Sequence, residues 1–321
     1  MHQGPWFTSE EDVVGLDVGD GIISAARVKV GREGGIRLRN AGWAEYPVGA
    51  SARDMAAAIR RVWRTAAMPS VSVCAAFRSR STVLRYFRYP ALSPDEFESA
   101  LRMEAEETLQ LAQEEICLDW HLNRGNATGA SGAGQHPSEG MLVAAPAKDV
   151  EQFLDMLRMA GLYPVTLDLG ATAVGNLFRA LSPGPKSGGD VCILHLTRQG
   201  ADIAVLFDRT SLYARTIFAR SEAWESSIDY LAEGVKDALK YYEFKLRYRP
   251  PQRLLVSGRI PRAPGFIEGF RDATGMAAEL WDPLAQVVPG SFRVRRLLAG
   301  RQGLPPLAAS IGLALRRYDD A

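Results

Sequence analysis

The stretch Val13–Val30, VVGLDVGDGIISAARVKV, constrains the fold of this chain more than any other. Two runs of β-branched and apolar residues flank a Gly-Asp-Gly turn, a pattern that specifies strand, tight turn, strand. The same pattern returns near mid-chain at Val191–Leu206, VCILHLTRQGADIAVL. Two such hairpins about half a chain apart predict two sheet domains facing one cleft. The first turn also has a chemical meaning. Glycines such as Gly19 and Gly21 let backbone N–H groups approach a phosphate, and a carboxylate at Asp17 is placed to hold a magnesium-bound water.

The intervening residues extend this plan. Ala52–Ala67 reads as a helix with Met55, Ile59, Val62 and Trp63 on one face. Ser93–Ala112 is the clearest helix in the chain. Ser93 is its N-cap, Pro94 lies in its first turn, and Phe97, Leu101, Ala105 and Leu109 recur at helical spacing. Glu104, Glu106 and Glu107 fall elsewhere on it and read as a solvated face. From Val71 to Leu169 the predicted order is β-β-α-β-β-α-β, a small α+β unit inserted into the first domain. It is broken by a Gly/Ser/Ala-rich insert at Arg124–Glu139, and a linker follows at Ser182–Gly189. Beyond lie the second hairpin, a strand at Ser211–Phe218, a long helix at Ala223–Arg247, and a strand at Arg253–Ser257. A helix at Gly265–Thr274, a strand near Ala278–Leu280 and a Pro-started helix at Leu304–Arg317 complete the chain.

Composition narrows the function. The formal net charge is +1 over 321 residues, so no global field points to nucleic acid. No apolar run reaches the roughly 20 residues of a membrane helix. The first residues lack the basic and apolar regions of a signal peptide. Cys74, Cys117 and Cys192 are far apart in apolar runs and read as buried free thiols in a reducing compartment, so no disulfide framework is expected. His121 and His136 share no ligand spacing with them, and no metal site is expected. His195, among Cys192, Leu194 and Leu196, reads as a structural histidine rather than a general base. No nucleophile elbow or P-loop is present, and no catalytic residue is assigned. Arg78, Arg80, Arg85 and Arg88 alternate with aromatic residues and read as a strand edge or partner surface. Arg293-Val294-Arg295-Arg296 reads as a solvated strand end, with attraction to anionic lipid headgroups as the sharper alternative.

Several pieces together, in their order, resemble the PilM family, actin-like proteins of type IV pilus assembly related to the cell-division protein FtsA. They are GLDVG at 15–19, YPALSPDEFESALRMEAEETL at 89–109, MLVAAPAKDVEQFLDMLRMAGLYPVTLD at 141–168, LAEGVKDALKYYE at 231–243 and ASIGLALR at 309–316. The resemblance covers nearly the whole chain. It implies an α/β fold of the actin/Hsp70/hexokinase-like (ribonuclease H-like) class, with two domains and an inserted small α+β subdomain. The domains would be 12–68 with 166–181 (the helix at 304–317 returning to it), the insert 69–165, and 190–302. It further implies a cytoplasmic seat beneath the inner membrane, and ATP with magnesium in the cleft. The cytoplasmic tail of a PilN-like membrane protein would lie in a groove between the first domain and its inserted unit, around Arg78–Glu107 and Leu162–Asp168, held by backbone pairing and a few apolar anchors. Other platform or motor proteins are further partners, and self-association stays open. Placement within the resemblance puts Arg85, Phe87, Tyr89, Leu101, Glu104 and Asp168 in the groove.

The remnant nucleotide residues, Asp17, Gly19, Gly21, Gly200 and Gly258, sit in loops that depart from the family pattern. In the first loop Asp20, Gly21 and Ile22 replace hydroxyl residues, and Ser24 stands in the lysine position. A carboxylate within about 4 Å of a phosphate repels it by about 1–4 kcal/mol. In the second loop His195 stands for the acid, Thr197 for the glycine and Ala201 for the threonine, with Arg198 and Gln199 adding bulk. Ser257-Gly258-Arg259 keeps one glycine of two in the third element. The expectation is therefore a non-catalytic scaffold with a pseudo-ATPase cleft, serving a pilus or a related type II secretion platform. The alternatives are an active actin-like ATPase or small-molecule kinase, and the cytoplasmic portion of the type II secretion L component. The last usually continues into a membrane helix that this sequence lacks.

Overall fold

A computed structural model describes residues 13–19, 21–31, 35–122, 138–182, 190–198, 200–207, 210–218, 228–259, 264–299 and 306–316. Asp20, His136, Gln199, nearly all of the Gly/Ser/Ala-rich insert and the linker residues 183–189 lie outside them. Two units emerge. The first draws on Met1–Ala76, Met156–Gly184 and Asp282–Ala321, and the second on Phe77–Asp155 and Pro185–Trp281.

In the first unit, β1 (Val14–Gly19), β2 (Ile22–Val30) and β3 (Ile36–Glu45) form an antiparallel meander, as the opening hairpin requires. Strands β4 (Ser72–Ala76) and β8 (Tyr163–Asp168) join it in parallel on the far side of β1. The two-residue β14 (Val288–Pro289) pairs with β3, giving the order β14-β3-β2-β1-β4-β8. Register assigns the faces. Gly15, Ala26 and Ala41 lie opposite one another and share a face, so Gly42 points to the other. Helix α1 (Ala52–Ala66) covers the Gly42 side with Ile59, Val62 and Ala66. It starts at an N-cap where Ser51 Oγ accepts from the Asp54 amide at 3.2 Å. Helix α8 (Ala308–Leu315) covers the Gly15 side together with α4 (Gly170–Leu181). Helix α7 (Phe292–Ala299), also of this unit, packs against β3 and β14.

The second unit repeats the plan. Strands β9 (Val191–Leu196), β10 (Gly200–Phe207) and β11 (Thr210–Phe218) form the meander. β12 (Arg253–Gly258) and β13 (Ala277–Leu280) extend it in parallel, so the order β11-β10-β9-β12-β13 mirrors β3-β2-β1-β4-β8. Helices α5 (Ile228–Leu246) and α6 (Phe266–Thr274) bury Leu231, Val235, Tyr242 and Phe270 on Leu194, Ile203 and Val256.

This unit also holds a three-stranded antiparallel sheet of β5 (Val83–Tyr89), β7 (Ser138–Pro146) and β6 (Ile116–Leu122), in the order β5-β7-β6. Helix α2 (Pro94–Leu109) lies on one face around Phe87, Leu101 and Leu142. Its start is a full capping box, in which Ser93 accepts from the Glu96 amide and the Glu96 carboxylate accepts from the Ser93 amide at 2.9 Å. On the other face Tyr86 stacks on Tyr213 of β11 with centroids 6.1 Å apart. Helix α3 (Ala147–Met159) leads from β7 to β8.

Several expectations change. The first and last strands of the predicted α+β stretch, β4 and β8, complete the first sheet and leave three strands for the insert. Arg293–Arg296 is helical, not a strand end, because Val294 and Leu298 one turn apart are its buried positions. Cys117 is exposed, because the alternation of β6 sets it beside Asp119 and His121, away from α2. Cys74 and Cys192 are buried, and burial pushes the Cys192 thiol up to about 12.

Candidate functional site: a groove on the inserted sheet and two altered loops

A groove of about 1030 Å³ opens in the second unit along β5 and α2, lined by Arg85, Tyr89, Met103, Glu104, Glu106 and Glu107 among others. Strand alternation places Arg85, Phe87 and Tyr89 on the α2 side of β5, and the helix turns Glu104, Glu107 and Met103 toward the opening. Tyr89 Oη donates to the Glu104 carboxylate. Burial, then that bond, pushes the phenol well above its usual range, so Tyr89 stays protonated as the donor. Phe87 stacks on Tyr89 at 5.3 Å, and Phe97 meets both edge-on. Met103 is 66% exposed, an apolar side chain left in water on the rim.

Of the six residues assigned to the groove, the structure brings Arg85, Tyr89 and Glu104 together as lining. Phe87 and Leu101 form the packed core beneath them. Asp168 belongs to the first unit. It ends β8, accepts from the Leu169 amide at 2.7 Å and from Thr172 Oγ1, and pairs with Arg316 Nε at 3.3 Å. The strand it ends lies last in its sheet order and exposes Tyr163 and Val165.

The nucleotide-loop residues can be followed within each unit. In the first, Asp17 lies within β1, paired with Ser24 two residues before the strand ends, and Gly21 adopts φ +80 in the hairpin turn. Tyr46 Oη donates to the Gly19 carbonyl, and the Tyr46 amide donates to that of Gly21 at 3.0 Å. Ser24, in the lysine position, is buried. In the second unit, register lines up Thr216, Asp202, His195 and Ser257 across four strands on one face. Asp202 accepts from Arg78 Nη1 at both oxygens (3.1 and 2.9 Å) and from Thr216 Oγ1 at 2.7 Å. The Arg78 and Asp202 side chains are 4% and 0% exposed, so Arg78 belongs to a buried ion pair and not to a partner surface. His195 Nδ1 and Ser257 Oγ are hydrogen bonded at 2.9 Å, both buried. Gly258 follows with φ +86, and a Cβ there would meet the Leu196 carbonyl oxygen at 2.2 Å and the His195 ring at 2.9 Å. Gly200 closes the hairpin by accepting from the Thr197 amide at 2.8 Å. Arg78, Asp202 and Thr216 thus bond to one another, as do His195 and Ser257. Among the described residues no three His, Cys, Asp or Glu converge as metal ligands, and no helix is long and apolar enough to cross a membrane.

The pairing of Arg78 with Asp202 escaped sequence reasoning because the partners lie 124 positions apart and neither has a local signal. His195 and Ser257 meet only through the parallel register of β9 and β12.

A family model described as type IV pilus assembly protein PilM matches residues 15–219. No curated protein sequence matches significantly. Among solved structures, a PilM–PilN type IV pilus biogenesis complex is similar with a TM-score of 0.76 at 20% identity, over 95% of this chain and 98% of that one. The cytoplasmic domain of EpsL, an inner membrane component of the type II secretion system of Vibrio cholerae, is similar with a TM-score of 0.50 at 11% identity, over 97% and 96%. The α/β fold of these solved structures is thus the fold of this chain, built here as two units.

Proposed function

The chain belongs to the type IV pilus assembly protein PilM family, and on that premise we propose that it is a non-catalytic scaffold holding the cytoplasmic tail of a PilN-like membrane protein. The observation that carries this reading is the groove along β5 and α2, with an aromatic floor, an exposed methionine and a glutamate wall. A peptide segment supplies what such a groove lacks: apolar side chains to cover Tyr89 and Met103, and hydrogen-bond donors or a cation for Glu104, Glu106 and Glu107. The partner would seat the protein on the cytoplasmic side of the inner membrane.

The non-catalytic part of the reading is supported by the loops. A carboxylate that would order a hydrated cation at the second loop is replaced by His195, which is tied to Ser257, while neighbouring Asp202 is neutralised by Arg78. Buried Ser24 offers no charge where a lysine would meet a phosphate. No catalytic step is assigned to any residue.

The test is a calorimetric titration with a synthetic peptide of the cognate PilN-like cytoplasmic tail. Wild-type protein is expected to bind it, and Met103→Asp to weaken binding at least about tenfold, since a charge is then desolvated at the apolar anchor. Because Met103 is exposed, that variant keeps the wild-type thermal midpoint. Unchanged affinity in Met103→Asp together with loss in Tyr163→Asp would move the tail to the β8 edge and contradict the groove assignment.

A further inference from the structure

We propose that α7 and the arginines around its start form a docking face for the anionic phospholipid headgroups of a membrane. The helix FRVRRLLA turns Val294 and Leu298 into the protein and leaves Phe292, Arg293, Arg295 and Arg296 exposed. Phe292 is 79% exposed, the highest of the exposed large hydrophobic residues described. Other cations gather at the same end. Arg293 Nη1 donates to the Thr65 carbonyl at 3.1 Å, which sets α7 beside the last turn of α1 and its exposed Arg64. Ser291 Oγ donates to the Arg39 carbonyl at 3.5 Å, and Arg39 is exposed on β3.

Among the described residues, none of Arg39, Arg64, Arg293, Arg295 and Arg296 has an acidic partner within ion-pair distance. A helix that merely faces solvent gains from mixing acids among its cations, and α7 contains none. The chain as a whole is nearly neutral at +1, so this positive field is local. Unpaired arginines around a protruding aromatic ring match the two layers of an anionic bilayer surface. The guanidinium groups meet headgroup phosphates, and the ring enters the interface below them. Nucleic acid would satisfy the charges but give Phe292 no apolar layer.

This face belongs to the first unit and does not rest on the tail groove. The test is co-sedimentation of the full chain with phosphatidylcholine vesicles, with and without phosphatidylglycerol. Sedimentation is expected only with phosphatidylglycerol and is expected to fall at high salt. R295E/R296E should lower the partition coefficient roughly 30-fold or more, taking about fivefold per arginine near the surface. Phe292→Ser should lower it about tenfold. All three residues are exposed, so both variants should unfold at the wild-type midpoint and bind the tail peptide as wild type does. Equal sedimentation with pure phosphatidylcholine, wild-type partition in both variants, or displacement from the vesicles by duplex DNA would overturn the proposal.

Discussion

Asp202→Ala is expected to cost the second unit about 3–5 kcal/mol of stability, the range for breaking a buried ion pair by removing one partner. The Arg78 guanidinium would be left in an interior where its side chain is 4% exposed, having lost both carboxylate contacts, and Thr216 Oγ1 would lose its acceptor. By the usual scaling the thermal midpoint falls by about 6–20 °C. The double variant Arg78→Met, Asp202→Leu should recover much of that loss, because no uncompensated charge remains. A double variant no more stable than Asp202→Ala would mean that the pair is not the source of the effect.

Gly312→Val is expected to cost about 3 kcal/mol or more, at the upper end of overpacking effects. A Cβ at Gly312 would stand 1.8 Å from the Ala173 carbonyl oxygen and 2.6 Å from its carbon, atoms of α4 that cannot step aside. Gly15 makes the same close approach on the other flank, where a Cβ would lie 1.9 Å from the Ser310 carbonyl oxygen. With both flanks closed, α8 must lift from β1 and α4, carrying Arg316 away from Asp168. Limited proteolysis at the C-terminal helix, read beside the thermal midpoint, checks this. A variant as resistant and as stable as wild type would refute the backbone-to-backbone packing.

The paired hairpins were readable because β-branched runs and glycine turns specify them locally, and the two meanders with parallel extensions follow from them. Helix α2 is readable from Ser93 and Glu96, which build the capping box three positions apart, and from Pro94 in its first turn. What escaped reading is long-range or short. The bond between His195 and Ser257 and the one between Arg78 and Asp202 depend on strand register and on chain segments far apart. Helix α7 has eight residues, and Arg293-Val294-Arg295 mimics a strand alternation over its first turn, which hides the i,i+4 pair Val294 and Leu298. Within the groove, Arg85, Tyr89 and Glu104 line the opening, whereas Phe87 and Leu101, equally apolar-patterned in sequence, are packed below it. Periodicity says which face a residue takes and not how deeply it lies. The resemblance groups Asp168 with them, whereas its hydrogen bond ties it to Thr172 and its ion pair to Arg316.

The most direct measurement of a scaffold that works without nucleotide is calorimetric titration of the PilN-like tail peptide into the nucleotide-free protein, repeated with saturating magnesium-ATP. The account predicts binding of equal affinity in both, and no heat when magnesium-ATP alone is added. Micromolar binding of magnesium-ATP, with tail affinity that changes when it is present, would contradict it.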